Sequence, residues 1–464
     1  MAVDEAMNDS IKNVHKELRE VFASGRTVGG DWRESQLRGL LDLLYENESE
    51  LTAAMAADLG KPPFEGWVTD LLTTRDDARD ALAHFRSWMK PTKYKVPVMA
   101  TPGKAWTEPQ PLGTVLIISP WNYPIQLLLV PLVGAVAAGN TVLLKPSELA
   151  PATSAILAKL VPKYMDGDAI RVIEGGVETT TELLNLPWDH VFFTGSTRVG
   201  RIVMEAAAKH LSPVTLELGG KSPTIIAADA NLPIAARRVA WAKYLNAGQT
   251  CVAPDYVLVD KSVADEFTDL VVEELIHSRD KAPATSIVNA SHVRRLEGLL
   301  DDHGGHELLP RKSDPTSRSF APVVVAEPDP GSALMEEEIF GPILPIIKVN
   351  SIDDAIEFVN DRPRPLALYV FTESPETERR VLDRTTSGSV CVNHLMFQVA
   401  TSMPFGGVGP SGMGAYHGKS GFDTFSHTKS VLRRPTKGDL KATYPPYPKV
   451  TQRIIRKVTR WPNK

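Results

Sequence analysis

The chain has 464 residues, 43% of them hydrophobic and 23% charged, which excludes a disordered, collagen-like or disulfide-scaffold protein and suggests two or three domains around a large core. The 51 lysines and arginines against 56 aspartates and glutamates give a formal net charge of −5, so no global attraction for nucleic acid is expected and the partner should be a small molecule. Cys251 and Cys391 are the only cysteines and lie far apart; they leave no disulfide framework, no expected metal site, and fit a reducing compartment.

The opening MAVDEAMNDSIKNVHKEL is acidic and polar where a secretory signal needs a basic stub and an apolar block, and it reads as an amphipathic helix. Residues 1 to 90 continue in helical spacing, as in DWRESQLRGLLDLLYENESELTAAMAADL, and predict long surface helices. YKVPVMATPGKAWTEPQPLG is extended and Pro-rich, a candidate arm. The most apolar stretch, Leu127 to Ala138, contains Pro131 and is shorter than the ~20 residues that cross a bilayer, so a soluble, cytoplasmic protein without a membrane anchor is expected.

From Gly113 the runs GTVLIIS, NTVLLKP, AIRVIEGG, HVFFTG and SPTIIAAD alternate with helical patterns, which argues for a parallel sheet. The alternation resumes with SFAPVVVAE, PILPIIKVN, LALYVFTES and SGSVCVN, predicting a second α/β domain. The last 34 residues, from Val431, hold ten lysines and arginines against Asp439 alone and read as a solvated tail, with a membrane or polyanion contact as the other reading.

Several residues along this frame invite chemistry, each with a plain structural alternative. Asn122, in SPWNYPIQ, follows the strand GTVLIIS, where open parallel sheets present ligand loops; its amide suits an oxyanion, yet it and Trp121 also suit an ordinary turn. Lys145 and Glu148, in LLKPSE, offer a cation and a carboxylate for a ribose diol, or a mere surface pair. Gly195 to Gly200, in FFTGSTRVGRIV, lies between a strand and a helix, so its amides and helix dipole suit a phosphate, although the pattern is not G-x-G-x-x-G. Glu217, in TLELGGKSP, ends a strand; burial there would raise its pKa as a general base requires, and a strand-end salt bridge is the alternative. Cys251, in NAGQTCVAPDY, is a thiol at a turn, or a small buried hydrophobe, which is the reading that fits Cys391 better. Glu338, in MEEEIFGPILP, follows two acids expected to be solvated, and Phe340 is by default a core residue. His417 and His427 stand too far from other ligand types for a metal claim.

PWNYP, LLKPSE, FTGSTRVG, LELGGKSP, GQTCVAPDY, EEEIFGP and MPFGGVGPSGMGAYHGK occur in one fixed order, and nearly the whole chain resembles the aldehyde dehydrogenase superfamily, most closely its class three branch. The resemblance implies an α/β fold with a Rossmann-like cofactor domain over 1–88 and 108–216, a second α/β catalytic domain over 217–405, and an oligomerisation arm with a C-terminal tail over 89–107 and 406–464. It implies NAD as cofactor, with NADP possible, an aldehyde as substrate and a homodimer as the assembly. By the same resemblance Cys251 is the nucleophile, Asn122 the oxyanion donor and Glu217 the general base with Glu338 in reserve. Trp121, Lys145, Glu148, Gly195, Ser196, Gly200, Glu338 and Phe340 hold the dinucleotide, and the substrate pocket is shaped around Tyr123, Phe397 and Phe405. The rival readings are a cysteine-dependent esterase or hydrolase, against which no G-x-S-x-G elbow or histidine near Cys251 appears, and a non-catalytic dehydrogenase-like binding protein.

Overall fold

The computed structural model describes residues 2–96, 100–400, 402–437 and 444–458. They form two compact units, one of Met1–Trp88 with Gln110–His427, the other of Met89–Pro109 with Thr428–Lys464. Residues 406–427 thus fold with the larger unit, not with the tail.

In the larger unit the helical lead-in is as its periodicity predicts, with helices at Ala2–Ala23, Gly30–Glu46, Glu48–Leu59 and α1 (Thr73–Trp88). They are not purely surface elements: Leu37, Leu40, Leu43 and Leu44 form a stripe at helical spacing that is completely buried.

The first sheet takes β1 (Thr114–Ile118), β2 (Thr141–Lys145), β3 (Ile170–Val172), β4 (His190–Thr194) and β5 (Val214–Glu217). Every residue of β1, β2 and β4 is buried, because crossover helices cover a parallel sheet on both faces; their sequences are therefore continuously apolar, not alternating. The second sheet takes β6 (Pro223–Ile226), β7 (Tyr256–Asp260), β8 (His306–Glu307), β9 (Val323–Ala326), β10 (Ile343–Val349), β11 (Ala367–Phe371) and β12 (Ser389–Val392), in the order β8-β9-β10-β7-β6-β11-β12. SPTIIAAD, which in sequence continues the first alternation, is the first strand of this second sheet. A last short strand, β13 (Gly412–Met413), returns to pair antiparallel with β5, completing the order β13-β5-β4-β1-β2-β3.

Strand order reverses between β1 and β4, so the loops after their carboxyl ends diverge and leave a crevice, the usual ligand position in an open α/β sheet. Asn122 follows β1, and Gly195 follows β4 and precedes α3 (Thr197–Ala208). Between them in sequence lies α2 (Gln126–Ala138), apolar all round because every residue is buried, and terminated by Gly139 at φ 95. Among the described residues no helix is long and apolar enough to cross a membrane.

In the smaller unit Thr92–Tyr94 pairs antiparallel with Lys104–Pro111, and Ser426–Arg433 is the third strand of the same sheet. Part of the tail read as solvated forms a helix, at Lys449–Val458, with Val450 and Ile454 exposed at i and i+4.

Candidate active site

The crevice widens into a cavity walled by Trp121, Asn122, Gly195, Ser196, Glu217, Cys251, Glu338 and Phe340, together with His292 and Arg295. Eight of the residues singled out in the sequence meet there. Lys145, Glu148 and Gly200 do not line it. Lys145 ends β2, buried, and pairs with the half-exposed Glu148 at 3.1 Å. Gly200 is packed so closely against Leu218 that a Cβ would sit 2.6 Å from its methyl carbon, so glycine there lets α3 approach the chain beyond β5.

The turn before Cys251 is built by three consecutive left-handed residues, Asn246 and Ala247 at φ 52 and Gly248 at φ 70. Such a turn needs external support. Gln249 supplies it: its Nε2 donates to the Asn246 and Ser286 carbonyls at 3.0 Å, and its Oε1 accepts from Val288 N at 3.0 Å. Asn122 joins the same network, giving one Nδ2 hydrogen to the Gln249 carbonyl at 3.0 Å, while Asn246 Nδ2 donates to the Asn122 carbonyl at 3.1 Å. The second Nδ2 hydrogen of Asn122 remains for an oxyanion.

Beneath this network lies a buried cation. Lys61 Nζ donates to the Asn122 carbonyl at 3.0 Å and to Asp70 at 3.1 Å, and sits 4.2 Å from the Tyr123 ring centroid; both charged side chains are fully buried. Asp70 in turn accepts from Ile125 N and Gln126 N, where a carboxylate complements the dipole of α2. Glu65 Oε1 accepts from Asn246 N and Thr285 Oγ1, both at 2.9 Å.

Glu217, the last residue of β5, has both carboxyl oxygens buried without a hydrogen-bond partner, so it is not a strand-end salt bridge. Burial pushes its pKa well above the ordinary carboxylate value. Glu338 is pushed up to about 8, by burial first and by the Asp255 charge second, although it accepts a hydrogen bond from the Gly220 backbone. Its carboxyl lies directly over Gly219, where a Cβ would fall 2.0 Å from Oε2. Lys221 and Arg295 pin the loop carrying it: Lys221 donates to the Leu334 and Glu337 carbonyls at 2.8 and 2.7 Å and pairs with Asp255, whose Oδ2 accepts from Ile339 N at 3.0 Å, while Arg295 donates to the Glu338 and Ile339 carbonyls. Burial, then the charges of Glu338 and Glu217, raise the Cys251 thiol to about 12. The resting site therefore holds a protonated thiol beside two carboxyls that give up their protons late.

The rest of the cavity suits a dinucleotide. Ser196 caps α3, accepting from Val199 N, and the helix opens on the cavity with free amides. Trp121 stands edge-on to Phe340 and His292, with centroids 5.5 and 5.6 Å away, and Thr194 Oγ1 and Glu338 Oε1 are buried without partners.

Cys251 also walls a second, apolar chamber with Tyr123, Trp241, Met396, Phe397, Phe405 and Tyr416. Tyr123, Phe397 and Phe405 are the three residues expected to shape the substrate pocket; the Tyr123 hydroxyl bonds Thr250 Oγ1 at 2.5 Å. Cys391 lies half-buried in β12 and lines neither chamber. Among the described residues no group of three or more His, Cys, Asp or Glu is placed to hold a metal ion.

His292, Arg295, Lys61, Trp241 and Met396 were not found from sequence. The first two lie on α4 (Ala290–Leu299), within NASHVRR, which reads as an ordinary capped surface helix; only the Asn289 cap and the adjacent basic residues hinted at more.

The aldehyde dehydrogenase family profile matches residues 1–431. Aldehyde dehydrogenase family 3 member A2 of Pongo abelii is 45% identical over 439 residues, covering 93% of this chain and 90% of its own, and family 3 member H1 of Arabidopsis thaliana is 42% identical, covering 96% and 94%. The substrate-bound AldH of Staphylococcus aureus superposes with a TM-score of 0.93 at 40% identity, covering 97% of this chain and 99% of that one. An indole-3-acetaldehyde dehydrogenase solved with NAD+ gives 0.85 at 26%, covering 92% and 89%. Neither a cysteine hydrolase nor a non-catalytic binding protein finds support in these matches. With two parallel sheets meeting at a cysteine, an amide and two buried carboxyls, and with relatives of this similarity along nearly its full length, the chain belongs to the aldehyde dehydrogenase family, among class three members.

Proposed function

We propose that the chain performs the NAD(P)-dependent oxidation of an aldehyde to a carboxylic acid with Cys251 as nucleophile, Asn122 as oxyanion donor and Glu217 as the base of hydrolysis. The observation that carries this reading is that Cys251 stands between a polar cavity with a helix N-terminus and an apolar chamber.

As the Cys251 sulfur bonds to the carbonyl carbon, the thiol proton is released to solvent and the π electrons move onto oxygen. Asn122 Nδ2 and the Cys251 backbone N–H stabilise that oxyanion, and losing one such donor typically costs ~2.7–4 kcal/mol of barrier. A bound nicotinamide dinucleotide supplies the hydride acceptor that leaves a thioester on Cys251. Glu217 then deprotonates a water that attacks the thioester, the C–S bond breaks to free the carboxylic acid, and the Cys251 sulfur takes the proton from Glu217; such a base is worth ~10²–10⁴ in rate, and Glu338 is the reserve base. Gly195 and Ser196 would hold the pyrophosphate at the head of α3, Trp121, Phe340 and Glu338 the nicotinamide end, and Lys145 with Glu148 the other ribose. Gly200 acts by letting α3 close on Leu218.

We assign 1–88 with 108–216 to cofactor binding and 217–405 to catalysis, supported by the separation of β1–β5 from β6–β12. Residues 89–107 and the segment from 428 onward are assigned to an oligomerisation arm and tail, while 406–427 fold with the larger unit. A homodimer is supported by the two edge strands, Thr92–Tyr94 and Ser426–Arg433, whose outer edges lack a neighbouring strand among the described residues. A cytoplasmic location is supported by two free cysteines. Mixing the protein with NAD or NADP and a medium-chain or aromatic aldehyde should raise the absorbance of reduced nicotinamide; a flat trace with every such pair sinks the reading.

A further inference from the structure

A third cavity adjoins the apolar chamber and shares Thr73 and Val399 with it; its remaining walls are Asp76, Asp77, Asp80, Ser402 and His417. We propose that it is a distal substrate subsite for an organic cation, so that the protein favours aldehydes whose far end carries an alkylammonium group. The proposal rests on the reading that the apolar chamber receives the aldehyde.

Helical geometry creates the charge. Asp76 and Asp80 stand one turn apart on α1, an arrangement that like charges disfavour, and Asp77 turns inward between them. Their partners leave the cluster negative. Asp76 meets Arg79 at 3.0 Å, Asp80 meets His84 at 3.0 Å, and Asp77 accepts from Gly418 N at 3.0 Å and faces His417 Nδ1 at 3.3 Å. One arginine thus stands against three carboxylates.

The second observation is His417. The residue is 3% exposed, lines the cavity, and its Nε2 is buried with no hydrogen-bond partner. Buried polar atoms are nearly always bonded, so one left over in a cavity wall points to a ligand group. These residues are not placed as a metal-ligand group, whereas spread carboxylates around an apolar passage suit a diffuse, weakly hydrated cation. The same wall repels an aldehyde ending in a carboxylate.

The test compares two medium-chain aldehydes of equal length, one ending in dimethylammonium, whose N–H can donate to His417 Nε2, and the other in the neutral isostere isopropyl, with the full chain and NAD. The wild type should prefer the cationic substrate in kcat/KM. In Asp76→Asn/Asp80→Asn, whose side chains are the accessible ones of the cluster, the cationic-to-neutral ratio should fall roughly fivefold, and high salt should lower it in the wild type alone. Calorimetry with the matching alkyldimethylammonium, which carries no aldehyde, should show weaker binding to the double variant. Turnover of the neutral aldehyde without cationic preference overturns the subsite and leaves aldehyde oxidation standing. Turnover of neither overturns the aldehyde reading, and then equal ammonium binding by wild type and variant overturns the subsite as well.

Discussion

Cys251, the proposed nucleophile, has a thiol whose burial and acidic neighbours hold its proton until pH about 12. The reaction must therefore take that proton as it forms the carbon–sulfur bond, and a serine hydroxyl, far less acidic and less nucleophilic, is no substitute. Cys251→Ser is expected to abolish reduced-nicotinamide formation while calorimetric dinucleotide binding persists; surviving turnover would move the nucleophile elsewhere. Glu217→Gln should leave acylation intact and stall hydrolysis, visible as a pre-steady-state burst of one turnover. An unchanged steady rate without a burst transfers the base to Glu338. The raised pKa of Glu338 also has a stability signature. Between 4.5, its ordinary value, and about 8, the folded protein holds a proton that the unfolded chain has lost, so stability falls as pH climbs through that window. Glu338→Gln removes this dependence, and its melting temperature should rise relative to the wild type between pH 5 and 8; parallel melting curves across the window would contradict the buried-acid assignment.

At the scale of elements, the Gln249 network that holds the turn before Cys251 is joined through Asn122 to a buried ion pair. Lys61 and Asp70 join the Asn122 carbonyl to the first amides of α2, so removing the cation strands a buried carboxylate. Lys61→Met is expected to lose ~3–5 kcal/mol of unfolding free energy in denaturant titrations. Adding Asp70→Asn should restore part of it, since an amide oxygen at that position still accepts from Ile125 and Gln126; equal losses in the single and double variants would show that the pair is not the support. None of this was legible in GKPPF, where Lys61 follows a helix-ending glycine and reads as a solvated turn. Asn122, Glu217 and Gly195 were legible as candidates because each ends or follows a strand, but local pattern left a turn or a salt bridge open for Asn122 and Glu217, and only the family resemblance chose between the readings. Their companions His292 and Arg295 come from a helix whose amphipathic spacing gives no sign that its polar face is turned into a cavity.

For the whole molecule, two α/β sheets were readable from the alternation of apolar runs with helical stretches, but not the point of transfer between them. SPTIIAAD has the same texture as the strands before it, and only Gly219 and Gly220, needed for the close approach of Glu338 and the crossing to β6, mark the change. The return of β13 to β5 was invisible, being two residues long. The edge strand Ser426–Arg433 is expected to complete a dimer; sedimentation equilibrium should give twice the chain mass, and a truncation before Ser426 should give monomers if it folds, whereas a monomeric full chain would remove the arm's assigned role. The placement of one sulfur in the party wall of two rooms has a kinetic corollary. On the proposed reading the aldehyde takes the apolar chamber and the dinucleotide the polar one, so the reduced coenzyme is expected to leave without displacing the acyl group.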